Sequence, residues 1–140
     1  MIHLVSVYGF SRKALAIRTL YKLLGEREPH ECISHKRMPT LEQHTKFVES
    51  MPYQEWYLIT DSSVPVGGIY LTNDNEIGVG ILRDYRNRGF AREAVLKLQQ
   101  MHVGERLLAN VAPGNEASHA MFRDLGFRCI QHTYALEPVR

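Results

Sequence analysis

The chain has 140 residues, 44% of them hydrophobic and 23% charged, with a net charge of +2. That is the size and balance of one globular domain spanning 1–140, not of a disordered chain. The small charge argues against a nucleic-acid binder, which needs a clustered basic stripe. No apolar run reaches the roughly 18 residues of a membrane span, and Met1 to Val7 lacks the basic start and long apolar stretch of a leader. Cys32 and Cys129 make no disulfide framework, so a reducing, cytoplasmic setting is expected.

Residues 2–8 alternate as a strand does. A helix follows from Ser11, a capping residue, to Gly25, with Leu15, Leu20, Leu23 and Leu24 along it. Residues 26–39 hold two prolines and little periodicity and read as a loop. Thr40 and Gln43 have the spacing of a capping box, opening a helix to about Met51. Strands are expected over 55–60 and 64–72, separated by the turn residues Asp61, Ser62 and Ser63. Asn73-Asp74-Asn75 turns the chain into a strand over 76–82. Phe90 to Met101 has Ala94, Val95, Leu98 and Met101 on one helical face. A strand over 106–111, a helix over 115–125 ended by Gly126, and a last strand over 127–136 complete the order. Hairpin strands mixed with crossover helices imply an α/β fold, a mixed twisted sheet with helices on both faces.

The most informative segment joins the 76–82 strand to the next helix through Arg86-Asn87-Arg88-Gly89-Phe90-Ala91. A tight turn into a helix leaves backbone N–H groups free at the positive end of the helix dipole, a site suited to a pyrophosphate. Gly89 permits close approach of backbone and phosphate, and Arg86 and Arg88 add charge. The plainer reading is a basic turn before a helix. A second segment, Asn115 to Phe127, begins 24 residues after Ala91.

Together the two segments resemble the GNAT superfamily of N-acetyltransferases. Arg86 to Ala91 matches its R/Q-x-x-G-x-G/A loop for acetyl-CoA, and Asn115 to Phe127 matches its N-x-x-(S/A)-x-x-x-(Y/F)-x-x-x-G-F segment. The match covers roughly 55–130, and the first 50 residues fit only by order of elements. The resemblance implies a GNAT-like sheet whose central strands, here 76–82 and 106–111, splay apart to admit pantetheine. The family's further C-terminal strand has little room here. A short final strand, or one borrowed from a partner in a homodimer, would complete the sheet.

The resemblance also implies roles. Backbone groups of Arg88, Gly89, Phe90 and Ala91 would meet the pyrophosphate, with Arg92 beside them. Backbone groups of Ile81 and Arg83 would bond pantetheine, and Gly78 and Gly80 would mark a bulge opening that strand edge. Asn115 is a ligand to the cofactor, a helix N-cap, or both; Ser118, one turn on, faces the cofactor or packs. Glu76 matches the place of a catalytic glutamate, which would accept the amine proton; its plainer reading is a solvated charge beside a turn.

Phe122 stands where many members carry a tyrosine whose hydroxyl serves the departing sulfur. Tyr134, Tyr85 and His119 are candidates to substitute, though each also reads as packing or surface, and the thiolate of coenzyme A can also leave without a strong acid. Cys32, His35 and His44 match no common zinc spacing, so no metal is expected. His35, Lys36 and Arg37 form a basic segment where the family shapes its acceptor site. They suit an anionic acceptor such as a nucleotide-linked amino sugar, or are ordinary loop charges. The resulting expectation is acetyl transfer to a small primary amine. A protein amine, N-terminal or lysine, and a non-catalytic acyl-CoA-binding module remain as alternatives.

Overall fold

The computed structural model describes residues 1–9, 11–27 and 37–139. Among these residues five strands, β1 (Ile2–Ser6), β2 (Glu55–Asp61), β3 (Val64–Leu71), β4 (Glu76–Ile81) and β5 (Leu108–Ala109), form one sheet in the order β1-β2-β3-β4-β5. The first three pairings are antiparallel and β4–β5 is parallel. Among the described residues four helices, α1 (Lys13–Gly25), α2 (Leu41–Glu49), α3 (Phe90–Met101) and α4 (Glu116–Asp124), complete the order.

Alternation along the strands divides the core in two. Ile59, Ile69, Leu71, Ile77 and Ile81 join Ala94, Val95 and Leu98 of α3 and Phe122 of α4 on one face. Trp56 and Leu58 join Ala16, Ile17 and Leu20 of α1 and Val48 of α2 on the other. The α2 start is the expected capping box: Thr40 Oγ1 accepts from Gln43 N–H, and Gln43 Oε1 accepts from Thr40 N–H. The start of α1 differs, because Arg12, not Ser11, is the N-cap and makes no side-chain capping bond.

Past α3, His102 lies 2.8 Å from Glu55 Oε2 and 2.6 Å from Glu105 Oε2, tying the helix end to β2. On α2, His44 is buried against Tyr21. Among the described residues, no helix is long and apolar enough to cross a membrane, and no group of three potential ligands is placed to hold a metal.

Three expectations are corrected. The strand over 106–111 reduces to Leu108–Ala109, since only Glu76–Leu108 and Ile77–Ala109 pair before β5 leaves β4. The last strand over 127–136 does not form; residues 128–139 are exposed and in no ladder. A strand needs a neighbouring edge for its hydrogen bonds, and β5 offers two residues. Finally, β4 carries no bulge at Gly78 and Gly80, which keep continuous register with Tyr70 and Gly68. The irregularity lies between Ile59 and Thr60.

Candidate active site

The site begins where β4 and β5 part. Leu82 N–H donates to Val66 O. In an antiparallel ladder hydrogen-bonded pairs alternate, so Gly80 and Gly78 turn their main chain to β3, while Val79 and Ile81 turn theirs away. From Gly78 onward β5 no longer covers that side. The splayed gap is therefore an open strand edge presenting the backbone of Val79 and Ile81.

That edge leads to α3. A short 3-10 turn, Arg83–Tyr85, is followed by Asn87 at φ 64° and Gly89 at φ 80°. Both lie in the left-handed region, and Gly89 is the α3 N-cap with no side-chain capping bond. The N–H groups of Phe90, Ala91 and Arg92 thus open the helix without a side-chain acceptor. Nothing lies within 4 Å of the place a Gly89 Cβ would take. Bare donors, a helix dipole and open space above a glycine together suit an anion.

The arginines divide their work. Arg86 turns inward: its Nε donates to Ile81 O at 3.0 Å and its guanidinium reaches Glu26 O at 3.4 Å. Arg88 donates to Asp84 O at 3.2 Å, with its guanidinium over the Tyr85 ring. Arg92 pairs with Asp124 at 3.5 Å, joining α3 to α4. Arg83 N–H, expected to face pantetheine, donates to Glu26 Oε1 at 2.7 Å. Glu26 is a residue that sequence reasoning missed; an isolated charge in a loop carries no local signal.

Asn115 is the N-cap of α4, its Oδ1 accepting from Ser118 N–H at 3.3 Å. Ser118 is half-buried on the first turn. Glu76 opens β4, half-buried, and its carboxylate accepts from Asn110 Nδ2 across the start of the gap. Nothing in 106–111 singled out Asn110 beforehand. Phe122 is buried against Phe127, ring centroids 5.1 Å apart.

Of the other proton-donor candidates, Tyr134 is 90% exposed on the segment that joins no sheet. His119 Nε2 lies 3.1 Å from Ala112 O. His35 and Lys36 lie outside the described residues, and Arg37 is exposed.

On the α1–α2 side of β4 lies an aromatic group that no sequence pattern announced. Tyr53 stacks on Tyr70 with ring centroids 3.9 Å apart and planes 4° from parallel. Trp56 meets both edge-on. Tyr8 Oη donates to Tyr53 O and accepts from Tyr53 N–H, each at 3.0 Å. Burial pushes the Tyr53 phenol well above its ordinary value, reinforced by Tyr70 and opposed by Arg27. These side chains come from three separate segments, so no spacing could announce them.

The sequence matches the family model described as Acetyltransferase (GNAT) family over residues 17–127. No curated protein matches it. Among solved structures, the Campylobacter jejuni N-acetyltransferase PseH in complex with acetyl coenzyme A is similar, with TM-score 0.69 and 13% identity, covering 95% of this chain and 92% of that one. AAC(6')-Iy, solved with the bisubstrate analog CoA-S-monomethyl-acetylneamine, gives TM-score 0.68 and 16% identity over 100% and 98%. Salmonella typhimurium yncA, a putative acetyltransferase solved with its cofactor acetyl-CoA, gives 0.66 and 13% over 91% and 78%. At these identities the structural likeness is one of fold.

Proposed function

Because the chain belongs to the GNAT acetyltransferase family, we propose that it is an enzyme transferring the acetyl group of acetyl-CoA to the primary amine of a small molecule. The observation that carries this reading is the continuous path from the open β4 edge to the uncapped α3 N-terminus at Gly89. An acyl-coenzyme A fits that path: the edge can hydrogen-bond an extended amide chain, and the open cradle can take a pyrophosphate. The similar structures solved with acetyl-CoA support the same cofactor.

The residues that would hold it are Val79 and Ile81 by their backbone, and Gly89, Phe90, Ala91 and Arg92 by their N–H groups. Arg88 adds charge nearby. The Arg86 and Glu26 bonds at Ile81 and Arg83 occupy the lower end of the same edge. Asn115 keeps the start of α4 in place. When bound, acetyl-CoA supplies an activated acetyl thioester.

Glu76 is the base in this reading. Asn110 fixes one carboxylate oxygen, leaving the other to take a proton from the amine nitrogen, directly or through water. The small-molecule acceptor draws support from the acetylneamine analog held by a similar structure. Arg37 and the neighbouring basic residues suit an acceptor bearing phosphate, with a nucleotide-linked amino sugar as the leading class.

The test is an amine panel incubated with protein and acetyl-CoA, reading released thiol. Turnover on small amino sugars supports the proposal. Turnover confined to peptide amines moves it to a protein acceptor, and cofactor binding without turnover on any amine moves it to a binding module.

A further inference from the structure

Acetyl transfer from a thioester also needs a proton for the departing sulfur, and the residues considered for that task from sequence are poorly placed. Phe122 has no hydroxyl and is buried, and Tyr134 lies out in solvent. The Tyr85 ring is covered by Arg88, and His119 Nε2 is engaged by Ala112 O at 3.1 Å. The Tyr57 hydroxyl, on the α3 side of the sheet, donates to Glu55 Oε1 at 2.6 Å.

A different phenol reaches the gap. Tyr70 sits directly opposite Gly78 in the β3–β4 ladder. Its Cζ, Cε2 and Oη atoms occupy the place that a Cβ on Gly78 would take. The ring thus lies across β4, hydroxyl end foremost. Gly78 is also the first residue beyond the last β4–β5 rung, Ile77–Ala109. The phenol tip therefore stands at the point where the two strands part. It shares a sheet face with Glu76, two residues back along β4.

The ring is held rigidly. Tyr53 stacks on it, Trp56 meets it edge-on, and Tyr8 fixes the Tyr53 backbone. Burial raises the Tyr53 phenol above its ordinary value, so it stays protonated beside the Tyr70 ring.

We propose that Tyr70, supplied by β3, is the general acid of the acetyl transfer, and that Gly78 is glycine to admit its hydroxyl. This rests on the acetyltransferase reading above. The amine nitrogen bonds to the carbonyl carbon, the carbon–sulfur bond breaks, and its electron pair leaves on sulfur. Tyr70 Oη gives its proton to that sulfur. The proton lost by the amine goes to Glu76 and returns through water to Tyr70, leaving amide and thiol with both side chains restored.

The experiment compares binding of coenzyme A and desulfo-coenzyme A by calorimetry, alongside steady-state kinetics. Wild-type protein should prefer coenzyme A roughly tenfold, the upper scale of a neutral hydrogen bond. Tyr70→Phe, which keeps the stack, should bind the two alike, and its kcat should fall about 100-fold with little change in KM for acetyl-CoA. Gly78→Ala, which displaces the phenol tip, should lose as much, and the double variant no more. A Tyr70→Phe protein that keeps both the sulfur preference and wild-type kcat would overturn this inference and leave the acetyltransferase reading intact. Absence of coenzyme A binding by the wild-type protein would overturn both.

Discussion

The two ends of β4 are built from different material. The Ile81–Ala91 end is made of backbone: an edge that β5 does not cover, a left-handed glycine and bare N–H groups at a helix start. The Glu76–Gly78 end is made of side chains brought together from afar: Asn110 on the carboxylate, Tyr70 across Gly78, and Tyr53 and Trp56 behind Tyr70. A backbone site binds whatever carries the right phosphate and amides, and a short motif encodes it. A side-chain site selects the acceptor and moves protons, and only tertiary packing assembles it. Substitutions at the first end should therefore cost cofactor affinity, and at the second, turnover.

The sharpest way to break that division is Gly89→Val. A branched side chain at a positive φ costs about 1–2 kcal/mol and fills the anion cradle. Acetyl-CoA affinity should fall more than roughly 100-fold by calorimetry, through loss of several N–H contacts. Unchanged affinity would remove the loop from the cofactor site.

At the other end, Glu76→Gln should lower kcat by about 100-fold with acetyl-CoA affinity preserved. A rate equal to wild type would take Glu76 out of the mechanism. Smaller in effect, Asn115→Ala removes a cap worth about 1 kcal/mol, read as a Tm lowered by roughly 3–5 °C. An equally small loss of cofactor affinity would mark Asn115 as structural, and a large one as a ligand.

The two histidines away from β4 give the smallest effects, opposite in sign. Burial holds His44 below its ordinary value of 6.5. Its contribution to stability is present above that value and is lost as pH falls through the lowered folded-state value. Burial also pulls His102 down, but Glu105 and Glu55 outweigh it and raise the group above 6.5. Its contribution is complete below 6.5 and is lost as pH rises through the raised value. Urea unfolding across this range should show His102→Gln flattening the alkaline side only. A flattened acid side instead would contradict the assignment.

The same division explains what the sequence disclosed. The α2 capping box and the α3 start at Phe90 are local patterns, and the structure bears them out, with Ala94, Val95 and Leu98 buried on α3 and Met101 left exposed. The inward turn of Arg86 and the grip of Glu26 on Arg83 N–H span 57 or more residues and left no local trace. Gly78 read as a bulge because a glycine in a strand announces an exception without saying which. The exception is a ring from the neighbouring strand. Likewise, a strand expected over 127–136 needs an edge to receive it, and the segment's own residues do not say whether one exists.

Thermal unfolding with acetyl-CoA, against adenosine diphosphate as control, tests the central claim most directly. Ligand at about 100 times its Kd stabilises by about 2.7 kcal/mol, or roughly 5–15 °C for a domain of this size. A rise with acetyl-CoA well above the control, abolished by Gly89→Val, is the expected result. No rise in well-folded protein would contradict the cofactor site at the end of β4, and the acetyltransferase mechanism with it.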